Sequence, residues 1–130
     1  KRIMEIQQQG NKPYIHLDED NCILTIKGAS YPEHADNFFR PIHEYIKECL
    51  PKVRHNNVTI NLAMTLMNSV SEKCVFQIVK TLTAVNELTI NWYYELDDED
   101  MESEGMIWKS SLKDTKFNII GIDDFQSLEL

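Results

Sequence analysis

Residues 57–72 read NVTINLAMTLMNSVSE and contain the change of pattern that decides the fold. Over residues 57–67, apolar side chains alternate with polar or small ones, which is the period of a β-strand. The alternating apolar residues are Val58, Ile60, Leu62, Met64 and Leu66. After the turn the spacing becomes three and four, which predicts an amphipathic helix. Its apolar stripe comprises Val75, Ile78, Val79, Leu82 and Val85.

The same two patterns recur on both sides of this stretch. Strands are predicted over residues 13–17, 22–27, 88–94 and 117–122, and helices over residues 34–50 and 101–112. The resulting order is β-β-α-β-α-β-α-β. Strands that are separated by helices require crossover connections, so the sequence predicts an α/β fold with a mixed, mostly parallel sheet and helices packed on it. Gly105 shares a face of the last helix with Trp108, where a neighbouring element can approach closely.

Length and composition predict one domain over residues 1–130. A chain of 130 residues with 42% hydrophobic residues can bury a single core. No stretch approaches the roughly 20 apolar residues of a membrane span, and the start of the chain has no secretory pattern. The chain begins at Lys1 rather than Met, so its natural start is open. Three widely spaced cysteines in apolar surroundings, Cys22, Cys49 and Cys74, predict reduced, buried thiols in a cytoplasmic protein.

Charge and motifs exclude several functions. The net charge of −8 argues against nucleic acid and favours protein partners. The acidic residues 95–104 are interpreted as a solvated loop and helix start, because a calcium loop counted from Asp98 has Ser103 in place of glycine and Lys109 in place of glutamate. The four histidines have no metal-ligand spacing, and the four glycines form no phosphate-binding loop. We therefore predict no metal, no cofactor and no catalytic residue.

The turn between the central strand and its helix remains the candidate site. Ser69 followed by Glu72 fits a capping box, in which the serine hydroxyl accepts a backbone N–H of the helix. A hydroxyl at this position is also exposed, and a phosphate attached to it meets free N–H groups and the positive end of the helix dipole. From the pattern alone, capping and phosphorylation both remain open, and capping is the more common use.

Several short motifs resemble the SiaC family of bacterial regulatory phosphoproteins over about residues 13 to 122. The motifs are Gly-Ala-Ser-Tyr-Pro-Glu at 28–33, Phe-Arg-Pro-Ile at 39–42, Leu-Met-Asn-Ser-Val-Ser at 66–71, Asn-Trp-Tyr-Tyr at 91–94 and Asp-Glu-Asp-Met at 98–101. The resemblance implies a STAS-like fold, of the kind found in anti-sigma-factor antagonists. This implied fold agrees with the element order deduced from periodicity.

The resemblance also implies a partner-switching function. Family members are phosphorylated at a hydroxyl residue in this turn by a cognate serine/threonine kinase, and a metal-dependent serine/threonine phosphatase removes the phosphate. The unphosphorylated form binds a diguanylate cyclase or a related effector, which links it to cyclic diguanylate and biofilm signalling. The alternative is a constitutive or anti-sigma-factor-antagonist-like interaction domain that is not phosphorylated.

The resemblance places the acceptor at Ser69, where the family's usual pattern has threonine. Serine keeps the hydroxyl, but Val70 replaces a second polar residue, so Ser71 remains an alternative acceptor. Asn68, Ser69 and Ser71 are predicted to bind partners together with the loop of Tyr31, Pro32 and Glu33, which is expected at the same end of the sheet. The alternative for that loop is that Pro32 stiffens it and Glu33 favours the helix start. Trp92, Tyr93 and Tyr94 are interpreted as core and sheet-face residues.

Overall fold

The computed structural model describes residues 3–50, 57–84 and 87–130, and these contain six strands and three α-helices. The strands are β1 (Ile3–Ile6), β2 (Tyr14–Asp18), β3 (Ile23–Ser30), β4 (Asn57–Met67), β5 (Glu87–Glu95) and β6 (Lys116–Ile122). The helices are α1 (Ala35–Cys49), α2 (Ser69–Leu82) and α3 (Glu99–Ser111). A short 3-10 turn, Phe125–Ser127, follows the last strand.

The six strands form one sheet whose spatial order is the chain order. β1, β2 and β3 pair antiparallel, whereas β3 to β6 pair parallel. Each helix therefore connects one parallel strand to its immediate neighbour. Because such crossovers are right-handed and all advance in the same direction, they place the three helices on one face of the sheet.

The hydrophobic core lies between that face and the helices. It combines Ile60, Leu62 and Ile90 of the sheet with Phe39 of α1 and Ile78 of α2, all at most 2% exposed. The other face of the sheet is polar at its centre, where Asn118 donates a side-chain hydrogen bond to Asn91, and Asn91 donates one to Asn61, each 3.0 Å long. The three helices of the described residues therefore cover one face of the sheet, and β3 and β4 are its two central strands.

α3 has fewer buried residues than α2. It buries only Gly105 and Trp108 within its length, whereas α2 buries five residues. Gly105 lies against the indole of Trp92: an added Cβ would be 2.6 Å from Trp92 Cδ1. The close approach predicted at Gly105 is therefore confirmed.

The predicted element order is confirmed from β2 onward, and β4 has the predicted bounds of 57–67. β1 was not predicted, because four residues at a sheet edge are too short to establish a period. Val85, which was assigned to the second helix, lies outside the described residues. Among the residues that the structure describes, no helix is both long and apolar enough to cross a membrane.

Candidate functional site

The junction between β4 and α2 is built around Asn68. Its side-chain Oδ1 accepts a hydrogen bond from the backbone N–H of Ser71 at 2.8 Å, which makes Asn68 the N-cap of α2. The predicted capping box of Ser69 and Glu72 is therefore wrong. Asparagine and serine are equally good caps, and starting the helix one residue earlier moves Glu72 out of the position from which it would bond the cap residue.

The two candidate acceptor serines lie in different environments. Ser69 is the first residue of α2 and is exposed, and its hydroxyl makes no hydrogen bond to any part of the chain that the structure describes. Ser71 is 0% exposed, and its Oγ accepts a hydrogen bond from the hydroxyl of Ser30 at 2.9 Å. A kinase can reach Ser69 directly, whereas Ser71 would first have to leave the core.

The loop of Tyr31, Pro32 and Glu33 lies beside this junction. The backbone N–H of Asn68 donates to Ser30 O at 3.0 Å, and the Asn68 side-chain amide donates to Pro32 O at 3.4 Å. Pro32 is buried, whereas Tyr31 and Glu33 are exposed. Asn68 thus holds this loop and the start of α2 together at the carboxyl end of the parallel strands.

Exposed apolar side chains lie on the segments that adjoin Ser69: Val70 follows it, Leu66 is near the end of β4, and Tyr31 is in the loop bonded to Asn68. Tyr31, Leu66 and Val70 are 46%, 50% and 47% exposed, although large apolar side chains are usually covered. We call these three residues, together with Ser69 and Glu33, the Ser69 surface. It borders a groove of about 600 Å³ between α1 and α2, which contains Glu33 and Val70 as well as the cations Arg40 and Lys73. The arrangement offers apolar contacts and charges of both signs next to one hydroxyl.

On its other side Ser69 borders a second groove, of about 300 Å³, between α2 and α3. Glu72 Oε2 accepts a hydrogen bond from Trp108 Nε1 at 3.0 Å. A hydrogen bond to Glu72, burial and the charge of Glu72 raise the pKa of Glu104 to about 7. The sequence alone does not predict this pair, because spacing along the chain does not show which residues of two different helices lie together.

The other predictions concern residues outside the junction. Among the described residues, no group of three histidine, cysteine, aspartate or glutamate side chains is placed to hold a metal ion. Cys22 and Cys49 are buried, but Cys74 is only half-buried, so the prediction of three buried thiols is wrong at Cys74. Burial raises the pKa of the Cys74 thiol, which lowers its reactivity near neutral pH.

The aromatic motif at the end of β5 belongs to the core and the sheet, as predicted. Trp92 is 1% exposed, and its indole N–H donates to Met101 O at 2.9 Å. Tyr93 and Tyr94 are half-buried, and the Tyr94 hydroxyl donates to Glu102 Oε2 at 3.0 Å. Trp92 and Tyr94 therefore attach α3 to the sheet.

Comparison with known families gives one match. The sequence matches the model of the SiaC family of regulatory phosphoproteins over residues 6–122. No curated protein matches the sequence.

Three solved structures share the fold. A chain from the crystal structure of the diguanylate cyclase SiaD in complex with its activator SiaC, from Pseudomonas aeruginosa, aligns with a TM-score of 0.75 and 18% identity, covering 91% of this chain and 97% of that one. Apo-SiaC from the same organism aligns with a TM-score of 0.71 and 15% identity over 93% and 98%. A further structure of that SiaC gives 0.74 and 17% over 94% and 100%. At these identities the likeness establishes the α/β fold.

Proposed function

The chain belongs to the SiaC family of regulatory phosphoproteins, and we propose that it is a phosphorylation-switched binding protein whose acceptor is Ser69. The observation that carries the proposal is that Asn68, and not Ser69, caps α2. Asn68 caps the helix, so the exposed Ser69 hydroxyl is not needed for capping. Capping was the main alternative explanation for a serine at this position.

The choice between the two serines rests on burial. Phosphorylation of Ser71 would place about −1.5 to −2 charges in the core and break its hydrogen bond to Ser30. A phosphate on Ser69 stays in water and close to the first N–H groups of α2. Lys73 lies one helical turn beyond Ser69, where opposite charges interact. Serine in place of the family's threonine keeps the reacting hydroxyl.

The partner of the unphosphorylated form is proposed to be a diguanylate cyclase or a related effector. One structure with this fold is described as a diguanylate cyclase with its activator SiaC. The Ser69 surface supports such an interaction, because Tyr31, Leu66 and Val70 expose apolar area on the segments that adjoin the acceptor. A phosphate on Ser69 would have to be desolvated if the partner covers this residue, so phosphorylation should weaken the complex.

The remaining partners follow from a reversible switch. A cognate serine/threonine kinase would add the phosphate to Ser69, and a metal-dependent serine/threonine phosphatase would remove it. In this scheme the chain acts in the cytoplasm, by binding and not by catalysis. Membership of a family of regulatory phosphoproteins supports this assignment.

The acceptor is tested by incubating the protein with ATP and its cognate serine/threonine kinase, then mapping the phosphate by mass spectrometry. The wild type and Ser71→Ala should carry phosphate on Ser69, and Ser69→Ala should carry none. Ser103→Ala is the matched control, because Ser103 is exposed near the start of α3. Phosphate on Ser71, or on no residue of this turn, would contradict the proposed switch.

A further inference from the structure

A side-chain hydrogen bond connects the first turn of α2 to α3. The indole N–H of Trp108 donates to Glu72 Oε2 at 3.0 Å, in the groove that Ser69 also lines. Glu72 lies three residues after Ser69, so the two side chains are neighbours on the surface of α2. The proposed phosphate acceptor is therefore next to the carboxylate that holds Trp108.

Trp108 is the large buried side chain of α3. It is 3% exposed, and its ring packs against Phe76 of α2 and Trp92 of β5, each with 5.0 Å between ring centroids. The other buried residue of α3, Gly105, has no side chain to pack. A displacement of Trp108 would therefore alter how α3 is attached to the rest of the molecule.

α3 also exposes apolar area next to Trp108. Met106 and Ile107 are 58% and 57% exposed, and Ile107 lines the same groove as Ser69 and Glu72. Because these two residues precede Trp108 directly in the helix, they would move with it. The position of this apolar area thus depends on the contacts that hold Trp108.

We propose that a phosphate on Ser69 weakens the hydrogen bond between Glu72 and Trp108 and thereby loosens α3 on the sheet. The inference rests on the proposed function only in taking Ser69 as the acceptor. It adds a second output to that switch, because the phosphate changes the attachment of α3 as well as the charge of the Ser69 surface.

The physical basis is repulsion between like charges. Acidic side chains one helical turn apart repel each other, and a phosphate adds about −1.5 to −2 charges at position 69. The first N–H groups of α2 keep this phosphate close to the helix start, and so close to Glu72. Lys73 lines the same groove, but one ammonium group does not neutralise a dianion, and Glu104 adds a further carboxyl group there.

The consequence for Trp108 follows from its burial. A Glu72 side chain that turns away from the phosphate leaves the buried indole N–H without its acceptor, which is costly in the folded state. Glu72→Gln keeps an oxygen that can accept this N–H but removes the charge that the phosphate repels. In that variant the phosphate should therefore have little effect on Trp108.

The test is hydrogen exchange of the indole N–H groups in the full chain, followed by ¹⁵N NMR. The chain has two tryptophans, and Trp108→Phe assigns their signals. Trp108 reports its bond to Glu72, whereas Trp92, whose N–H donates to Met101 O, reports the attachment of α3.

Phosphoserine is introduced by genetic incorporation at position 69 and, for comparison, at position 127, which is exposed after the last strand. Glu99→Gln is the control for Glu72→Gln, because Glu99 is exposed in the first turn of α3. No kinase or partner is needed, so a failure here is separable from a failure of the binding switch.

Phosphoserine at position 69 should speed exchange at Trp108 by about two- to fivefold, as expected of like charges one turn apart on a helix. Trp92 should exchange faster by a smaller factor, and phosphoserine at position 127 should change neither. The effect should persist in Glu99→Gln and disappear in Glu72→Gln. Unchanged exchange at either tryptophan, or an equal effect in Glu72→Gln, would overturn the proposal.

Discussion

α2 and α3 begin with the same kind of side-chain cap, but the side chains of their first turns differ in charge. Each follows a parallel strand, and each is capped by a side chain that accepts the N–H three residues on: Asn68 from Ser71 at 2.8 Å and Asp98 from Met101 at 3.0 Å. The first turn of α3 carries three acidic residues, Glu99, Asp100 and Glu102, whereas that of α2 carries only Glu72 and begins with an exposed hydroxyl. The three acidic side chains of α3 already compensate the positive end of its dipole. The positive end of the α2 dipole is less compensated and can stabilise an added anion.

The two helices also differ in how they are attached. α2 is anchored by five buried residues and α3 by two. Since α3 has few buried contacts, each contributes a large share of its attachment to the sheet. We therefore expect substitutions in α3 to act mainly by disturbing its packing. At the start of α2, we expect some substitutions to lower stability and others to change only phosphorylation and binding.

The largest effect on stability is expected from Gly105→Ala. The new Cβ would lie 2.6 Å from the buried, hydrogen-bonded indole of Trp92, which has little room to move. Overpacking of about 3 kcal/mol, less about 1 kcal/mol for the better helix propensity of alanine, gives a net loss of roughly 2 kcal/mol in the free energy of unfolding. Urea unfolding measures it, with Ser103→Ala as the control. Unchanged stability would refute the close contact.

A smaller loss is expected from Ser71→Ala, because it leaves the buried Ser30 hydroxyl without its acceptor. The free energy of unfolding should fall by about 1.5 kcal/mol, whereas Ser69→Ala should change it by less than about 0.5 kcal/mol. A double-mutant cycle with Ser30→Ala should recover part of the loss. A larger loss for Ser69→Ala than for Ser71→Ala would show that Ser69 has a structural role and would contradict the prediction.

The two caps give the smallest and most direct comparison. Asp98→Ala should lower the free energy of unfolding by about 1 kcal/mol. Asn68→Ala should lower it slightly more, because Asn68 also bonds Pro32 O. Asn68→Ser should restore the cap but not the bond to Pro32. Thermal unfolding of the variants tests this ranking. A larger loss for Asp98→Ala would show that the loop contact contributes little.

Periodicity predicted the fold well where segments were long. β4 alternates over eleven residues and was predicted with its exact bounds, whereas four-residue β1 was missed. The cap was misassigned because Asn68 and Ser69 are adjacent and both suit the position. The burial of Ser71 and the meeting of Glu72 with Trp108 depend on how β3, α2 and α3 come together, and no local pattern carries that information.

The most direct test of the Ser69 switch is the affinity for a diguanylate cyclase encoded in the same genome, measured by isothermal titration calorimetry. Three forms are compared: unmodified protein, protein with phosphoserine at position 69, and protein with phosphoserine at position 127. We predict that the unmodified and position-127 forms bind equally, and that the position-69 form binds at least about tenfold more weakly, a loss of about 1.4 kcal/mol. Equal affinity of all three forms would contradict the account.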